Sequence, residues 1–419
     1  MTQQIQSALA ACSYRFQTKN LTTFAAATLV FIAAISGARL ASAQTESSRN
    51  PFEGKHHKVG LGKVLTSAHG GQIFGFDVDE NGTDGINDDA VTLSSGALES
   101  SIETFDITTG KITKVVKTVV SQSGDDELVT FGIGGTDIGF VDDERVHIGN
   151  GRVTRNDIFD LLNPVSGEKI TGQWTLPHSK GALLWALAQN QTTTTQVAMV
   201  YRFDANSNAI PWLYVTDLAT NQILNSIRLS QFEDDYLLLL AQDSATDEAV
   251  TNIDSSPGGP PPVNVVVNLK TGKLREFNGF NNGFYGAGAI NGLAVDSATG
   301  ILCTTTSLNA QVEFYKLSDG SGIWAQLPGT GDTDELNAGW PVTNDPLHHL
   351  FLIGQPYSST GGSSAIYVYD EKGNLKETIN GFNFPNEFLV VGVRIVINPN
   401  LRVGWVNGPN VNQLQQFFY

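Results

Sequence analysis

Cysteine is almost absent from this 419-residue sequence, which contains only Cys12 and Cys303. Cys12 lies in a stretch that we predict to be removed as an export leader, so the mature chain cannot form an intramolecular disulfide bond. Cys303 stands in the apolar run ILCTTTS, with no group nearby in sequence that would lower its pKa. We therefore expect Cys303 to be a small buried core residue rather than a nucleophile.

Basic residues are also scarce, with 25 Lys+Arg against 42 Asp+Glu and a net charge of −17. The first 43 residues contain three of the basic residues and none of the acidic ones, so the mature chain keeps 22 against 42, a net charge of −20. Such a charge repels phosphate backbones and anionic lipids, and we expect no nucleic-acid partner. Two interpretations stay open: the acidity keeps an exported protein soluble, or it attracts cations and cationic ligands.

The motifs of several enzyme classes are missing. No G-x-S-x-G, H-E-x-x-H, C-x-x-C or phosphate-loop pattern occurs in a usable context. His348 and His349 alternate along a predicted strand, so their rings are expected on opposite faces, where they would not share one metal ion. We expect both to be surface residues or to form hydrogen bonds between sheets. The sequence therefore does not decide whether the protein is an enzyme.

The N-terminal stretch 1–43 has the pattern of a signal peptide. Arg15 and Lys19 form a basic segment, Leu21–Ala38 is uncharged and mostly apolar, and Ala41-Ser42-Ala43 is a small-x-small cleavage pattern. This predicts a secreted or periplasmic protein. The alternative is an uncleaved signal anchor that tethers the protein to a membrane, since the apolar run is about as long as a short span. No later run is apolar for long enough, so no membrane span is expected after cleavage.

One hairpin pattern recurs along the chain. Its clearest copy is Tyr367–Phe382, in which an apolar strand, a tight polar turn and a second strand follow one another. Six copies have turn residues that are 57, 54, 51, 48 and 53 positions apart: Gly110, Gly167, Asn221, Gly272, Gly320 and Gly373. A hairpin repeated about every fifty residues predicts four-stranded propeller blades, since helical solenoids would carry amphipathic helix patterns.

The repeat length divides the 376 residues after the leader into about seven units, one more than the six visible hairpins. We predict that both chain ends build the missing unit: Lys58–Thr66 reads as a lone strand, and Leu401–Asn407 and Asn412–Phe418 read as two strands without a hairpin partner. The N-terminal strand would be the outermost strand of the last blade, which removes free sheet edges. The prediction is an all-β, seven-bladed β-propeller of four-stranded blades over residues 58–419, preceded by an N-terminal extension, 44–57.

Two of the repeats resemble a known family. Ala294–Gly320 and Val215–Leu229 are similar to the repeats of secreted YVTN-type seven-bladed propellers, in which an apolar-Val-Asp turn, a strand with Thr or Asn, and a D-x-x-T-N/G-K hairpin recur. The resemblance spans most of the mature chain, although the blades here are longer and carry inserted loops. It implies a secreted propeller and no single chemistry, because propellers serve as binding proteins, lactone hydrolases, lyases and scaffolds.

The sharpest local motif is the acidic segment Asp77–Asp89, whose spacing is that of an oxygen-lined Ca²⁺ loop. The predicted ligands are Asp77, Asp79, Asn81, Thr83 and Asp88. Three features depart from the usual loop: Asp rather than Glu at the twelfth position, Gly85 where a polar residue is usual, and a strand instead of a helix before it. Calcium is the candidate cofactor, and the alternative is a solvated acidic loop without an ion.

Polar residues also stand where the chain leads into each predicted innermost strand. In a propeller these loops meet at one mouth of the central channel. We predict a ligand-binding site there, formed by His69, Glu127, His178, Asp235, Asn291, Asn337 and Glu387. Converging carboxylates and amides can hold a metal ion or a polar ligand, and lactone-hydrolysing propellers have a ring of similar residue types. The alternative is that these are ordinary polar turn residues.

The preferred function is that of an exported binding or interaction protein for an unknown small-molecule or protein ligand, with calcium as a candidate stabilising ion. The first alternative is a metal-dependent hydrolase or lyase of the lactonase kind, with its site at the channel mouth. The second is a structural or adhesive surface protein in which the calcium loop stiffens the first blade. We expect a monomer.

Overall fold

A computed structural model describes most of the chain after residue 58. The described residues are 35–36, 59–79, 82–92, 98–121, 127–133, 139–149, 152–162, 174–175, 182–189, 195–203, 209–217, 220, 222–232, 237–253, 263–279, 290–306, 311–328, 341–355, 364–383 and 394–419. Within them the chain forms 29 β-strands, one 3-10 turn at Ser230–Phe232 and no α-helix. The all-β prediction is confirmed.

The strands form seven sheets, numbered here in chain order. Sheet 1 contains β3 (Gln72–Val78), β4 (Asp84–Thr92), β5 (Leu98–Asp106) and β6 (Lys111–Ser121). Sheet 2 contains β7 (Glu127–Ile133), β8 (Gly139–Gly149), β9 (Arg152–Leu162) and β10 (Trp174–Thr175). Sheet 3 contains β11 (Ala182–Gln189), β12 (Thr195–Phe203), β13 (Ala209–Asp217) and β14 (Gln222–Arg228).

The remaining sheets follow the same plan. Sheet 4 contains β15 (Leu237–Asp243), β16 (Glu248–Ile253), β17 (Val263–Asn268) and β18 (Leu274–Asn278). Sheet 5 contains β19 (Ile290–Asp296), β20 (Ile301–Thr306), β21 (Gln311–Lys316) and β22 (Gly322–Gln326). Sheet 6 contains β23 (Val342–Asp345), β24 (Leu350–Gln355), β25 (Ser364–Asp370) and β26 (Leu375–Phe382). Sheet 7 contains β27 (Ile395–Asn398), β28 (Val403–Asn407), β29 (Gln413–Phe418) and β2 (Gly60–Thr66).

The first strands of the sheets lie next to one another. Strands β11, β15, β19, β23 and β27 contact each other in that order, and β3 contacts both β7 and β27. A ring of sheets that meet at their first strands is a β-propeller. The predicted four-stranded antiparallel units are confirmed in six of the described sheets, and sheet 4 has a two-residue parallel strand as a fifth. The count of seven blades stays a prediction, because the connections at 163–173 and 176–181 beside sheet 2 lie outside the described residues.

Sheet 7 is built from both ends of the chain, as predicted. Strand β2 runs antiparallel to β29, with Gly60 opposite Phe418 and Thr66 opposite Gln413. The side chains of Trp405 and Gln416 then donate hydrogen bonds to the backbone carbonyl of Ile107 in sheet 1, at 3.0 and 2.7 Å. These contacts join the last sheet to the first, and the C-terminal strand β29 is paired on both sides.

Glycine at positive φ closes the outer hairpins. Gly110, Gly272, Gly320 and Gly373 have φ of 66°, 70°, 71° and 74°, a conformation that glycine adopts without the steric cost of a Cβ. These four predicted turn positions are confirmed. The other two, Gly167 and Asn221, lie outside the described residues.

Buried apolar clusters fill the boundaries between neighbouring sheets from sheet 3 round to sheet 1. Between sheets 5 and 6, for example, Cys303 and Phe314 pack with Phe351 and Tyr369. Cys303 is 0% exposed, which confirms the predicted core position. Its burial, with the nearby charge of Glu313 as a second cause, raises the pKa of the Cys303 thiol well above its ordinary value.

The described part of the predicted leader is the two-residue strand β1 (Ile35–Ser36), which pairs in parallel with Leu240 and Ala241 of β15. The leader, its cleavage and the N-terminal extension stay predictions. No helix in the described part of the chain has the length and apolar character needed to cross a membrane.

Candidate functional site

The first turn of each of sheets 4 to 7 follows a buried Asp or Asn. These residues are Asp243, Asp296, Asp345 and Asn398, each at most 1% exposed. A side-chain oxygen of each accepts a hydrogen bond from a backbone N–H two or three residues later, at 2.8 to 3.0 Å. Such side-chain to backbone bonds hold the turn in one conformation. Three neighbouring sheets therefore present a fixed carboxylate at the end of their first strand.

The fourth residue after each of these side chains has a left-handed backbone. These residues are Asp247, Gly300, His349 and Arg402, with φ of 53°, 67°, 54° and 49°. Glycine adopts this conformation most easily, and Asp and His are enriched among the other residues that do. The turn directs His349 of sheet 6 towards sheet 5, where its Nδ1 lies 2.9 Å from Oδ2 of Asp296.

Asp296, His349 and Glu371 come together at this boundary between sheets 5 and 6, and we name them the rim cluster. One ligand atom from each lies within 4.8 Å of the other two. Asp296 ends β19, and Glu371 directly follows β25. The Asp296 side chain is fully buried, whereas 46% of the His349 side chain is exposed. The cluster therefore combines a rigid inner ligand with an opening to solvent.

The rim cluster has a defined chemistry. One imidazole and two carboxylates are a ligand set that suits Zn²⁺ and other divalent transition metals, with water completing the coordination shell. The same carboxylates can bind an ammonium or guanidinium group through charge-assisted hydrogen bonds. In either case the ligand that fits is a cation.

Two partly exposed apolar side chains lie on the outer strands of sheets 5 and 6. Ile323 lies opposite Phe314 in sheet 5, and Leu375 lies opposite Tyr369 in sheet 6. The rings of Phe314 and Tyr369 are 6.0 Å apart across the boundary. Directly opposite residues share one sheet face, so Ile323 and Leu375 also face this boundary, with exposures of 47% and 42%.

The neighbouring histidine has other partners. His348 Nδ1 lies 2.8 Å from Oδ2 of Asp345, which also accepts a hydrogen bond from the Tyr419 hydroxyl at 3.0 Å. Burial, followed by the nearby charge of Asp345, raises the pKa of Tyr419 well above its ordinary value.

Both histidines lie in the β23–β24 turn, so their predicted place on a strand is wrong: Asp345 ends the strand before them. The predicted bond between sheets does occur, at His349.

The residues predicted to bind calcium lie in and around the β3–β4 turn. Asp77 and Asp79 are 8% and 7% exposed, and Arg394 of sheet 7 approaches the Asp77 carboxylate at 3.6 Å. Burial raises the pKa of Asp84, and the nearby charges of Asp79 and Asp106 add to this effect.

Of the other three residues predicted to bind calcium, two lie in the described part of the chain. Thr83 is exposed in the turn, Asp88 lies in β4 opposite Gly75, and Asn81 lies outside the described residues. The first and last predicted ligands, Asp77 and Asp88, lie two register positions apart on paired strands, because Asp77 is opposite Ile86 and Asp88 is opposite Gly75. The calcium site stays a prediction.

The predicted channel-mouth site falls mostly outside the described residues. His69 precedes β3, and its backbone N–H donates to Oε1 of the buried Glu103 at 3.0 Å. Glu127 is the first residue of β7, and Asn291 lies in β19. The remaining positions, His178, Asp235, Asn337 and Glu387, lie outside the described residues. The channel-mouth site also stays a prediction.

The rim cluster was not predicted from the sequence. Its members come from the end of β19 and from two turns of sheet 6, 53 and 22 positions apart along the chain. The recurring Asp before the first turn, as in VDSATG and TNDPLHH, could have marked the turn face as a place where carboxylates repeat. The pattern does not indicate which turns meet.

Comparisons with known proteins bear on the fold alone. No family model and no curated protein matches the sequence. The chain is similar to the solved structure of U3-55K, with a TM-score of 0.56 and 11% identity over 86% of this chain and 100% of that one. It is also similar to the structure of the RRP9 WD40 repeats, with a TM-score of 0.52 and 11% identity over 86% of this chain and 99% of that one. These likenesses show a β-propeller, and the resemblance to YVTN-type propellers stays a prediction.

Proposed function

We propose that this protein is an exported β-propeller that works as a binding protein and holds its ligand at the boundary of sheets 5 and 6. The observation that carries this proposal is the rim cluster, whose three ligand atoms lie within 4.8 Å of one another. A propeller holds its turns on a rigid ring, which makes such a preformed group suitable for binding. Export rests on the leader pattern alone.

The ligand that we propose is cationic, and a divalent transition metal is its simplest form. Asp296 is buried and negatively charged when ionised, and a bound cation offsets the cost of burying that charge. The net charge of −17 favours the approach of cations over long range. Ile323 and Leu375 would contact the apolar part of a larger cationic ligand.

Zn²⁺ titration by isothermal calorimetry tests this proposal. We expect the wild-type protein to bind one Zn²⁺, and His349→Gly and Glu371→Gln to weaken that binding at least tenfold. Glycine suits position 349 because the backbone there has a φ of 54°, so the imidazole is removed without backbone strain. His348→Gln is the matched control, since His348 bonds Asp345 and lies outside the cluster. An unaltered affinity in His349→Gly, or no binding by the wild type, would refute the rim site.

The second candidate function is a metal-dependent hydrolase or lyase of the lactonase kind at the channel mouth. One observation favours it: Glu127 begins β7 and Asn291 lies second in β19, where the chain leads into first strands. Calcium at Asp77 and Asp79 stays part of the proposal, as either a catalytic or a stiffening ion. Lactone hydrolysis that calcium activates and that Asn291→Ala abolishes would favour the enzyme. Full activity in Asn291→Ala would count against it.

A further inference from the structure

Asp296 and His349 of the rim cluster meet through a contact that involves only one nitrogen of the imidazole. His349 Nδ1 lies 2.9 Å from Oδ2 of Asp296. The other carboxylate oxygen of Asp296, Oδ1, accepts a hydrogen bond from the backbone N–H of Ala298 at 2.9 Å. Both oxygens of Asp296 therefore have partners inside the protein.

This contact selects one tautomer of His349. An ionised carboxylate only accepts hydrogen bonds, so the nitrogen beside it has to carry a proton. In a neutral imidazole one nitrogen carries the proton and the other has a free lone pair. Because Nδ1 of His349 is the protonated nitrogen, the free lone pair is at Nε2.

The burial of the pair leaves Nε2 on the accessible side. The Asp296 side chain is 0% exposed, whereas 46% of the His349 side chain is exposed. Nδ1 faces the buried carboxylate, and Nε2 lies on the side of the ring away from that contact. The lone pair that can bind a cation is therefore in the exposed part of the ring.

The distance between the two groups does not suit direct binding of one metal ion by both. Two ligands that are each about 2.1 Å from a tetrahedral Zn²⁺ lie about 3.4 Å apart. Oδ2 of Asp296 and Nδ1 of His349 are closer than this, and the ion would also have to displace the proton between them. Withdrawal of Asp296 would break the bond that its Oδ1 forms in the turn after β19.

We propose that Asp296 is a positioning residue, which fixes the tautomer and the orientation of His349 so that His349 binds the cation of the rim cluster through Nε2. This inference rests on the proposed function and gives the two carboxylates different roles. Glu371 stays a direct ligand, whereas Asp296 acts through the imidazole. A carboxylate that holds a metal-binding histidine in this way raises the basicity of the ring, and its loss typically weakens metal binding about 10- to 100-fold.

Asp296→Asn tests this role without removing the turn. The amide oxygen can still accept the Ala298 N–H, whereas the amide nitrogen presents a proton to Nδ1 of His349 and moves the ring proton to Nε2. Asn398 shows that asparagine supports this turn, since its Oδ1 accepts the backbone N–H of Leu401 at 2.8 Å in sheet 7. We expect a folded protein with the opposite His349 tautomer and a Zn²⁺ affinity about 10- to 100-fold lower.

Two measurements on the full chain provide the test. Long-range proton–nitrogen NMR of the histidine rings reports the tautomer, and calorimetry reports the Zn²⁺ affinity. The metal-free wild type should show Nδ1–H at His349, and Nδ1 should keep its proton when Zn²⁺ is bound. Asp243→Asn is the matched control, because it makes the same change in the equivalent turn of sheet 4, where the partners of Asp243 are Ala245 and Thr246. It should keep the wild-type affinity and the wild-type tautomer.

Three results would overturn the positioning role: an Nε2–H tautomer in the metal-free wild type, loss of the Nδ1 proton in the Zn²⁺ complex, or wild-type affinity in Asp296→Asn. Failure of the rim site itself looks different. A wild type that shows the Nδ1–H tautomer but binds no Zn²⁺ would refute the proposed function, and the metal-binding role of Nε2 with it. If Asp296→Asn does not fold, the wild-type spectra with and without Zn²⁺ still decide the assignment.

Discussion

The two faces of sheet 5 bury very different residues. Towards sheet 6, Cys303, Val312 and Phe314 form an apolar layer in which Phe314 contacts Phe351 and Tyr369. Towards sheet 4, the neighbouring positions of the same strands carry Thr304 and Glu313, both fully buried. One strand, β21, thus supplies Phe314 to one boundary and Glu313 to the other.

The difference shows how one blade can serve two purposes. Removing apolar surface from water stabilises the folded protein by roughly 25 cal/mol per Å², whatever the relative orientation of the groups. The apolar residues at the boundary with sheet 6 therefore stabilise the packing of these two sheets. The boundary with sheet 4 also contains an apolar cluster, which includes Val250, Leu302 and Leu317. In addition it buries the Glu313 carboxylate, which stabilises the fold only when hydrogen-bond donors or charges satisfy it. In both boundaries polar groups lie beside an apolar layer that packs the two sheets together.

The largest loss of stability is expected when an aromatic ring is removed from the apolar boundary between sheets 5 and 6. Phe314→Ala removes a ring that is 2% exposed, and a cavity of this kind costs about 3–5 kcal/mol of unfolding free energy. Urea denaturation measures the loss. Tyr315→Phe, on the other face of β21, removes one hydroxyl and should cost about 1–3 kcal/mol. Equal losses in the two variants would contradict the contrast between the faces.

A pair of glycine substitutions compares the two boundaries at matched turns. A Cβ at Gly320 would lie 2.7 Å from the Cβ of Phe277 in sheet 4, whereas a Cβ at Gly373 would lie 3.0 Å from the terminal Cδ1 of Ile323 in sheet 5. Both positions have positive φ, so each change to alanine costs about 1–2 kcal/mol of backbone strain. Gly320→Ala should lose about 1–3 kcal/mol more, because the Phe277 Cβ is fixed to the backbone while the Ile323 end can rotate.

Urea denaturation of both alanine variants checks this order. A Gly373→Ala protein that is less stable than Gly320→Ala would show that the sheet 5–sheet 6 boundary is the tighter one. Wild-type stability in both would contradict the need for glycine at these turns.

The smallest effect concerns the turn that carries Glu371. Burial acts to raise the pKa of Asp370, but hydrogen bonds from Lys376 and Asn374 outweigh it and lower that pKa from 3.8 to about 2. Because the folded-state pKa is the lower one, the carboxylate stabilises the fold above pH 3.8, and the contribution disappears as the pH falls through about 2.

Asp370→Asn should therefore lose about 1 kcal/mol at pH 7, and the difference from wild type should shrink between pH 4 and pH 2. Urea denaturation across this pH range measures it. Stability curves that stay parallel down to pH 2 would contradict the assigned pKa.

The hairpins and the closure of the ring could be predicted from the sequence because both depend on signals within a few neighbouring residues. Gly320 and Gly373 mark turns that need positive φ. The distance between such turn residues gives the length of one repeat. The strand at Gly60–Thr66 has no hairpin partner near it in sequence, and neither do the two strands at the C-terminus. Together they make up the one sheet that the repeat count requires. Strand alternation likewise separates Glu313 from Phe314, since neighbouring residues point to opposite faces.

The position of the histidines shows where this approach fails. His348 and His349 fit a strand by alternation, yet Asp345 accepts the N–H groups of Leu347 and His348 and turns the chain before they are reached. A side-chain hydrogen bond to the backbone competes with the sheet, and the alternation pattern contains no sign of it.

The sequence by itself determined the all-β architecture, the repeat and the composite last sheet, because turn chemistry and alternation act over a few residues. Only the tertiary structure decided which side chains meet. Asp296 ends β19 of sheet 5, whereas His349 and Glu371 lie in two turns of sheet 6. Their meeting depends on the stagger and packing of neighbouring sheets, which arise from the whole ring rather than from any one segment.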